Sequence, residues 1–361
     1  MAQPAARTPL EAARLLGGRA AESRETLASA SIAVLGTLVL VGVVIAALGA
    51  NPFDAYWSIV EGAFGSSDRI GNTLRVAVPL ALCGVAAAIP FTARLWNVGA
   101  EGQMHVGAFA AIALALTLPS GLPAAVMVPL VVLGAVLAGA VWAGLAGLLK
   151  AVAGANEVIV TLMLNFVGIL LATYAITGLW PQGVAAQTER VPGSAELPVI
   201  WSSAGVNLGL VLAVVAVAVA WVVMRRTRSG FEIRAIGLNP AAARMNGMRV
   251  ARVTVVTFVL AGLFAGLAGS IQVIGDNRAL VTGFSANYGY IGIAVALVAR
   301  LNPAWILPSA VLFAALQVGS QTLPAATGIS TAVGQIVIAT FIIALLATRV
   351  IRLRYAEGAV Q

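Results

Sequence analysis

Apolar residues in this chain come in long blocks with short polar breaks. They do not form the one-sided stripe of a soluble helix or the alternation of a half-buried strand. A helix needs about 20 apolar residues to cross a hydrocarbon core. Ten blocks approach that length, near residues 31–49, 73–92, 98–118, 123–149, 157–178, 205–224, 253–275, 287–299, 304–321 and 332–348. The pattern predicts an all-α, polytopic membrane helical bundle of about 10 transmembrane segments. The eighth block is short, and reads as either a tilted span or a re-entrant segment.

Basic residues decide the orientation, because loops rich in Lys and Arg stay in the cytoplasm. With the N-terminus inside, only Arg69, Arg75, Arg190 and Arg278 fall on the outer side. Asp54, Glu61, Asp68, Glu189, Glu196 and Asp276 fall there too. An even number of spans puts both termini inside. Residues 1–30 then form a cytoplasmic tail, 31–350 the membrane domain and 351–361 a second cytoplasmic tail. A secretory signal has a shorter apolar core and a shorter basic region, so the first block reads as an uncleaved span. Of the two longest outer loops, 51–72 carries Phe53, Tyr56, Trp57 and Phe64 and reads as a helix at the outer interface. The other, 179–204, contains Pro181, Pro192 and Pro198 and reads as irregular.

The most basic segment lies at 225–252 and sets Arg225, Arg226, Arg228, Arg234, Arg244, Arg249 and Arg252 against Glu232. Inside it Asn239 is placed to cap a short helix, Pro240 to start it and Gly247 to stop it. A capped helix on the cytoplasmic side suits docking of a soluble partner.

Composition narrows the function classes. The chain is 60 % hydrophobic and 9 % charged, against roughly a quarter charged for a soluble domain. A pI near 10.7 and a net charge of +8 suit a nucleic-acid binder. However, the Arg residues border apolar blocks as topology signals do, which excludes that partner class. The lone Cys83 rules out an internal disulfide and a Cys-based metal site. There is no GxxxxGK[ST] phosphate loop, no HExxH and no Cys/His cluster. The chain is therefore expected to be no enzyme and to hold no metal or cofactor.

Polar groups inside the apolar blocks carry the candidate chemistry, since they are costly in lipid unless paired or facing a cavity. Asn97, Glu101 and His105 share one helical face, with Gln103 beside them. Glu157, Thr161 and Asn165 form a second stripe with the same spacing. At about 1.5 Å rise per residue, Asn165 lies roughly 12 Å above Glu157, near mid-bilayer. These residues either line a path for a polar solute or tie helices together. Gly134, Gly139, Gly144, Gly147, Gly262, Gly266 and Gly269 let helices approach closely.

Four stretches carry a family resemblance. RLWNVGAEGQMHVGAFAA (94–111) is similar to an FNIGxEGQ signature. GANEVIVTLMLN (154–165) is similar to NEVIxTxMxN. IRAIGLNPAAARMNGM (233–248) is similar to the docking loop RAxGxNxxAAxxxGI, and NPFDAYWSIVEGAFGS (51–66) resembles an outer segment. Together they resemble permease subunits of bacterial ATP-binding-cassette importers. Within that superfamily of branched-chain amino acid and ribose permeases, the likeness is to the nucleoside, basic membrane protein-associated branch. Trp96, Met248 and Ala241 depart from those signatures. The first two stay apolar, while Ala241 stands where Glu is common, leaving Arg234 and Arg244 as the polar contacts.

The resemblance implies a multi-pass subunit of the bacterial inner membrane that imports a small polar solute, nucleosides first. A simple-sugar permease is the alternative, and an ion-coupled carrier is disfavoured by the scarcity of buried charge. It implies a cytoplasmic ATPase that binds ATP and Mg, a second permease subunit, identical or related, and an extracytoplasmic binding lipoprotein. It also marks Arg234, Gly237, Asn239, Ala242, Ala243, Arg244 and Gly247 as coupling positions.

Overall fold

The computed structural model describes residues 49–328 without a break, together with 36, 38–47 and scattered positions from 330 to 343. Both polar tails and most of the tenth apolar block lie outside the described residues. The chain divides into two units, Met1–Ser58 with Ser320–Gln361, and Ile59–Gly319. Within the first unit the Tyr56 hydroxyl donates to the Leu38 carbonyl, and the Thr322 hydroxyl donates to the Ser58 carbonyl at 2.8 Å.

The second unit is built on α3 (Ser67–Thr92), α4 (Ala100–Thr117), α5 (Ala124–Ala153), α6 (Glu157–Tyr174), α7 (Gly209–Arg226), α10 (Val250–Ile271), α11 (Tyr288–Val298) and α12 (Ile306–Ser320). The preceding helices are α1 (Leu38–Ala47) and α2 (Pro52–Phe64). Between α7 and α10 lie α8 (Arg228–Leu238) and α9 (Pro240–Met245). Six described helical segments are long and apolar enough to cross a membrane. A seventh is added if α1 and α2 count as one bent span. α4 and α11 stand apart from those six: α11 has only 11 residues, and α4 opens on a carboxylate, Glu101.

The helix ends follow local rules. The Ser66 side chain accepts from the Arg69 amide and starts α3, earlier than the apolar block alone suggests. Asn156 caps α6 through Val158 N at 3.0 Å, just after Gly154 ends α5 in the left-handed region. The C-terminal ends of α6 and α10 loosen into wider turns, Ala175–Leu179 and Gln272–Asn277. The expected irregular loop 179–204 contains a short β1 (Val199–Trp201), paired antiparallel with β2 (Val206–Asn207). The all-α expectation thus gains a two-stranded ribbon.

Two helix ends are built alike. α3 closes at Ala93-Arg94-Leu95 and α11 at Ala299-Arg300-Leu301, with Arg94 and Arg300 in the left-handed region at φ 58° and 54°. In both, the following Leu amide reaches five residues back, Leu95 to Pro90 and Leu301 to Ala296. This is the double bond of a helix stop normally made with Gly. An Arg there costs about 1–2 kcal/mol over Gly, so the turn is held by what surrounds it. No internal repeat is evident in the residues alone, because only the tripeptide Ala-Arg-Leu is shared.

The core is made by small residues. Gly107 meets Gly266, Gly139 meets Gly262 and Gly266, and Gly269 meets the backbone of Met104 and Ala108, so α4, α5 and α10 touch main chain to main chain. A Cβ added at Gly266 would lie 2.4 Å from the Ala135 carbonyl oxygen. Gly266→Val is therefore expected to lower the midpoint of thermal unfolding, by overpacking worth about 1–3 kcal/mol. Gly121→Ala, which meets nothing within 4 Å, should leave it unchanged. Thermal-ramp size-exclusion chromatography of the two variants checks the pair.

Candidate functional site

The site begins where α3 stops. After the Arg94 turn the chain doubles back along α3, and the Asn97 amide donates to the Ala86 carbonyl at 3.3 Å. The Asn97 side-chain oxygen accepts from Gly99 N and from Gln103 Nε2, both at 3.0 Å. These bonds fold the segment that launches α4. From α6, Asn165 Oδ1 accepts from Gly102 N at 2.8 Å, and its Nδ2 donates to the Val98 carbonyl at 2.9 Å. Asn165 Nδ2 also reaches the Tyr290 hydroxyl at 3.2 Å. Asn97, Gln103 and Asn165 are thus buried in one network that sets the start of α4 against α6.

α11 begins at the same place. The first turns of α4 and α11 pack so closely that a Cβ on Gly289 would lie 2.3 Å from Glu101 N. Glu101 is 3 % exposed. Its carboxylate accepts from the Ser285 hydroxyl and from Gly289 N at 2.7 Å. Helix N-termini carry unpaired N–H groups and a partial positive charge. A carboxylate in the first turn of one helix, bonded to the first turn of another, sits where two such ends converge. No Lys or Arg among the described residues pairs with it; the nearest basic group is His105, at 3.7 Å. The His105 Nδ1 lies 2.8 Å from the Glu101 carbonyl. A carbonyl only accepts, so Nδ1 carries the proton.

The segment 281–287 links the wide turn after α10 to α11. Gly283, Ala286 and Asn287 all have positive φ, at 73°, 43° and 65°. Ser285 holds this segment down, donating to Glu101 and accepting from Tyr288 N at 3.3 Å. The Phe284 ring lies on His105, with centroids 4.8 Å apart. Between α4, α6 and this segment lies a cavity of about 390 Å³.

The two predicted stripes separate in space. Glu101 and His105 line that cavity, while Asn97, Gln103 and Asn165 knit the turn behind it. Thr161 is buried and donates to the Glu157 carbonyl of its own helix at 2.7 Å. Glu157 pairs with Lys150 at 2.8 Å across the α5–α6 corner, away from the cavity lining. Phe284, Ser285, Asn287 and Gly289 do not figure in the sequence reading. Their one signal is Ser285 three residues before Tyr288, the spacing of a helix cap before an apolar run.

The basic segment 225–252 folds as two helices. Asn239 Oδ1 accepts from Ala241 N at 3.0 Å and Ala242 N at 3.1 Å, and Gly247 turns at φ 78°. α8, absent from the sequence reading, is capped by Thr227. It packs through glycine on the ends of two other helices. A Cβ at Gly230 would lie 2.2 Å from the Val223 carbonyl oxygen of α7, and one at Gly237 2.0 Å from the Thr92 carbonyl oxygen of α3. Ala243 is buried, whereas Asn239, Ala242, Arg244 and Gly247 are exposed. Arg234 is half-buried, and its Nη1 has no hydrogen-bond partner among the described residues. Leu238 and Met245 are 79 % and 90 % exposed, an apolar pair left uncovered.

Glu101→Ala is expected to strand the Gly289 amide and Ser285 hydroxyl and to destabilise the protein by about 3 kcal/mol. Glu101→Gln keeps an acceptor and should cost less than half of that. Unfolding midpoints of the two variants, measured side by side, test the order.

Residues 69–346 match the family described as branched-chain amino acid transport system / permease component. Among curated relatives, a glucose ABC transporter permease of Haloferax volcanii is 35% identical over 342 residues, 91% of this chain and 88% of its own length. A nucleoside ABC transporter permease of Lactococcus lactis is 32% identical over 300 residues, 80% and 82% of the two chains. A guanosine ABC transporter permease of Bacillus subtilis is 32% identical over 309 residues, 84% and 87%.

Proposed function

The chain belongs to the permease-component family of branched-chain amino acid transport systems, and from that premise we propose that it forms the membrane path of an ATP-driven importer of nucleosides. It is a multi-pass membrane permease of the ATP-binding-cassette type. The carrying observation is the Glu101 carboxylate at the convergent starts of α4 and α11. Discontinuous helices in transporters often aim their positive ends at an anionic solute. Here an internal carboxylate takes that position, so the path suits an uncharged solute. The names of the Lactococcus and Bacillus relatives point to nucleosides. The Haloferax relative favours a second reading, an uncharged sugar.

On this reading the chain crosses the bacterial inner membrane ten times, with both termini in the cytoplasm. It pairs with a second permease, identical or related. A binding lipoprotein delivers the solute from outside, and a cytoplasmic ATPase holds ATP and Mg. The ATPase docks on α8 and α9, where Leu238, Met245 and Arg244 are exposed. Its motion enters through Gly230 and Gly237, which press backbone on backbone against the ends of α7 and α3. α3 carries the Arg94 turn and the start of α4, so a tilt of α3 shifts the Glu101 junction.

Two measurements test this. In cells lacking the permease gene, uptake of radiolabelled guanosine should be lost and should return with the intact gene. Loss of glucose uptake instead would discard nucleosides and keep the sugar reading. Separately, Arg244→Glu and Gly247→Trp should leave the protein in the membrane and weaken co-purification of the ATPase by about tenfold. Normal co-purification and solute-stimulated ATP hydrolysis would remove the docking role from α9.

A further inference from the structure

We propose that the cavity between α4, α6 and the 281–287 segment binds the base of the transported nucleoside, with the rings of Phe284 and His105 as its aromatic wall. The inference rests on the nucleoside reading above and assigns the part of the molecule that reads the solute.

The volume, about 390 Å³, lies at the low end of the range for sites that hold one small molecule, about 300–1,000 Å³. One side of the wall is apolar, with Ile169 and Ala172 from α6, Ile176 from the wide turn that follows it and Val281 from the returning segment. Phe284 is half-buried with its ring tilted 57° to His105. Such a tilted pair leaves ring surface for a third planar group.

The polar side chains that lie deepest are already used by the protein itself. Both Glu101 oxygens are engaged, by Ser285 and by Gly289. The Ser285 hydroxyl donates to one group and accepts from another. The Thr173 hydroxyl donates to the Ile169 carbonyl at 2.9 Å. What remains is His105 Nε2, which has no hydrogen-bond partner among the described residues, with the exposed Thr282 hydroxyl and Asn287 amide at the rim. With Nδ1 committed to the Glu101 carbonyl, Nε2 is the ring atom left to meet a solute.

These facts separate the solute classes. A hexose placed here would lose water from several hydroxyls and find few partners, and an unpaired buried polar group costs about 1–3 kcal/mol. A nucleobase has apolar faces and a few polar edge atoms. Its faces match Phe284 and the aliphatic wall, and a polar edge atom matches His105 Nε2. The ribose then points to Asn287 at the mouth. The Glu101 carboxylate beside the cavity repels a phosphate, so phosphorylated nucleosides are disfavoured.

The backbone supports a built site. Ala286 and Asn287 are consecutive non-glycine residues in the left-handed region, a conformation that costs about 1–2 kcal/mol per residue. The Ser285–Glu101 bond holds the segment in this form and with it the Phe284 ring. Glu101 therefore acts as a positioning residue for the aromatic wall.

The test uses the full transporter, assembled with its ATPase and binding protein in proteoliposomes. Phe284→Leu keeps the apolar volume and removes the ring. The expected result is a KM for guanosine about tenfold higher, the size of one lost base–aromatic stack. In parallel, the unmutated complex is irradiated with 8-azidoadenosine and digested. The label is expected on peptides carrying His105 or Phe284, and excess guanosine but not ribose should displace it. An unchanged KM in Phe284→Leu, or label confined to other helices while guanosine is still transported, overturns the cavity assignment and leaves the nucleoside reading standing. Failure of the unmutated transporter to move any nucleoside overturns the nucleoside reading itself. If Phe284→Leu does not assemble, the labelling pattern alone decides.

Discussion

One carboxylate organises this structure. Glu101 is removed from solvent, pairs with no Lys or Arg among the described residues, and is held by an amide and a hydroxyl from a segment nearly two hundred residues away in the chain. A buried charge is tolerable only where hydrogen bonds and fixed dipoles replace water. The starts of α4 and α11 supply both, and neither helix is among those long and apolar enough to cross a membrane. The joining is mutual: the charge needs the two helix ends, and the two short helices need a partner for their free N–H groups. Asn97, Gln103 and Asn165 serve the same junction from behind, completing the backbone bonds that an interrupted helix leaves open.

The polytopic helical character and six of the ten expected blocks were legible because bilayer thickness imposes a block length that survives in any sequence. α5, α6, α7 and α10 follow from it directly. α9 was legible for a different reason, since Asn239, Pro240 and Gly247 satisfy capping rules that act within one turn. The polar stripes identified Glu101 and His105, because a carboxylate and an imidazole in an apolar block stand out. Their partners did not stand out. Ser285, Phe284 and Gly289 are unremarkable residues in a short segment, and only the fold brings them to Glu101. α8 was hidden because its apolar residues, Ile233 and Ile236, are diluted by charge. The β1–β2 ribbon was hidden behind prolines that signal irregular chain.

The glycines divide the helices into those that are locked and those that can transmit. α4, α5 and α10 meet through Gly107, Gly139, Gly262 and Gly266 largely backbone against backbone. Close-packed interiors of this kind shift as blocks rather than deform. Gly230 and Gly237 make equally direct contacts at the ends of α7 and α3. On the importer reading, a displacement at the docking helices therefore reaches α3 without being absorbed by flexible side chains, and arrives at the residues that launch α4.

The Glu101 junction also bears on electrical work. Carrying one elementary charge through a membrane potential costs or releases about 2.3 kcal/mol per 100 mV. On the importer reading the negative charge stays bonded to the protein, and the solute that passes it is neutral. Net flux then moves no charge across the field, so accumulation is driven by nucleotide hydrolysis alone and is indifferent to the voltage of the cell.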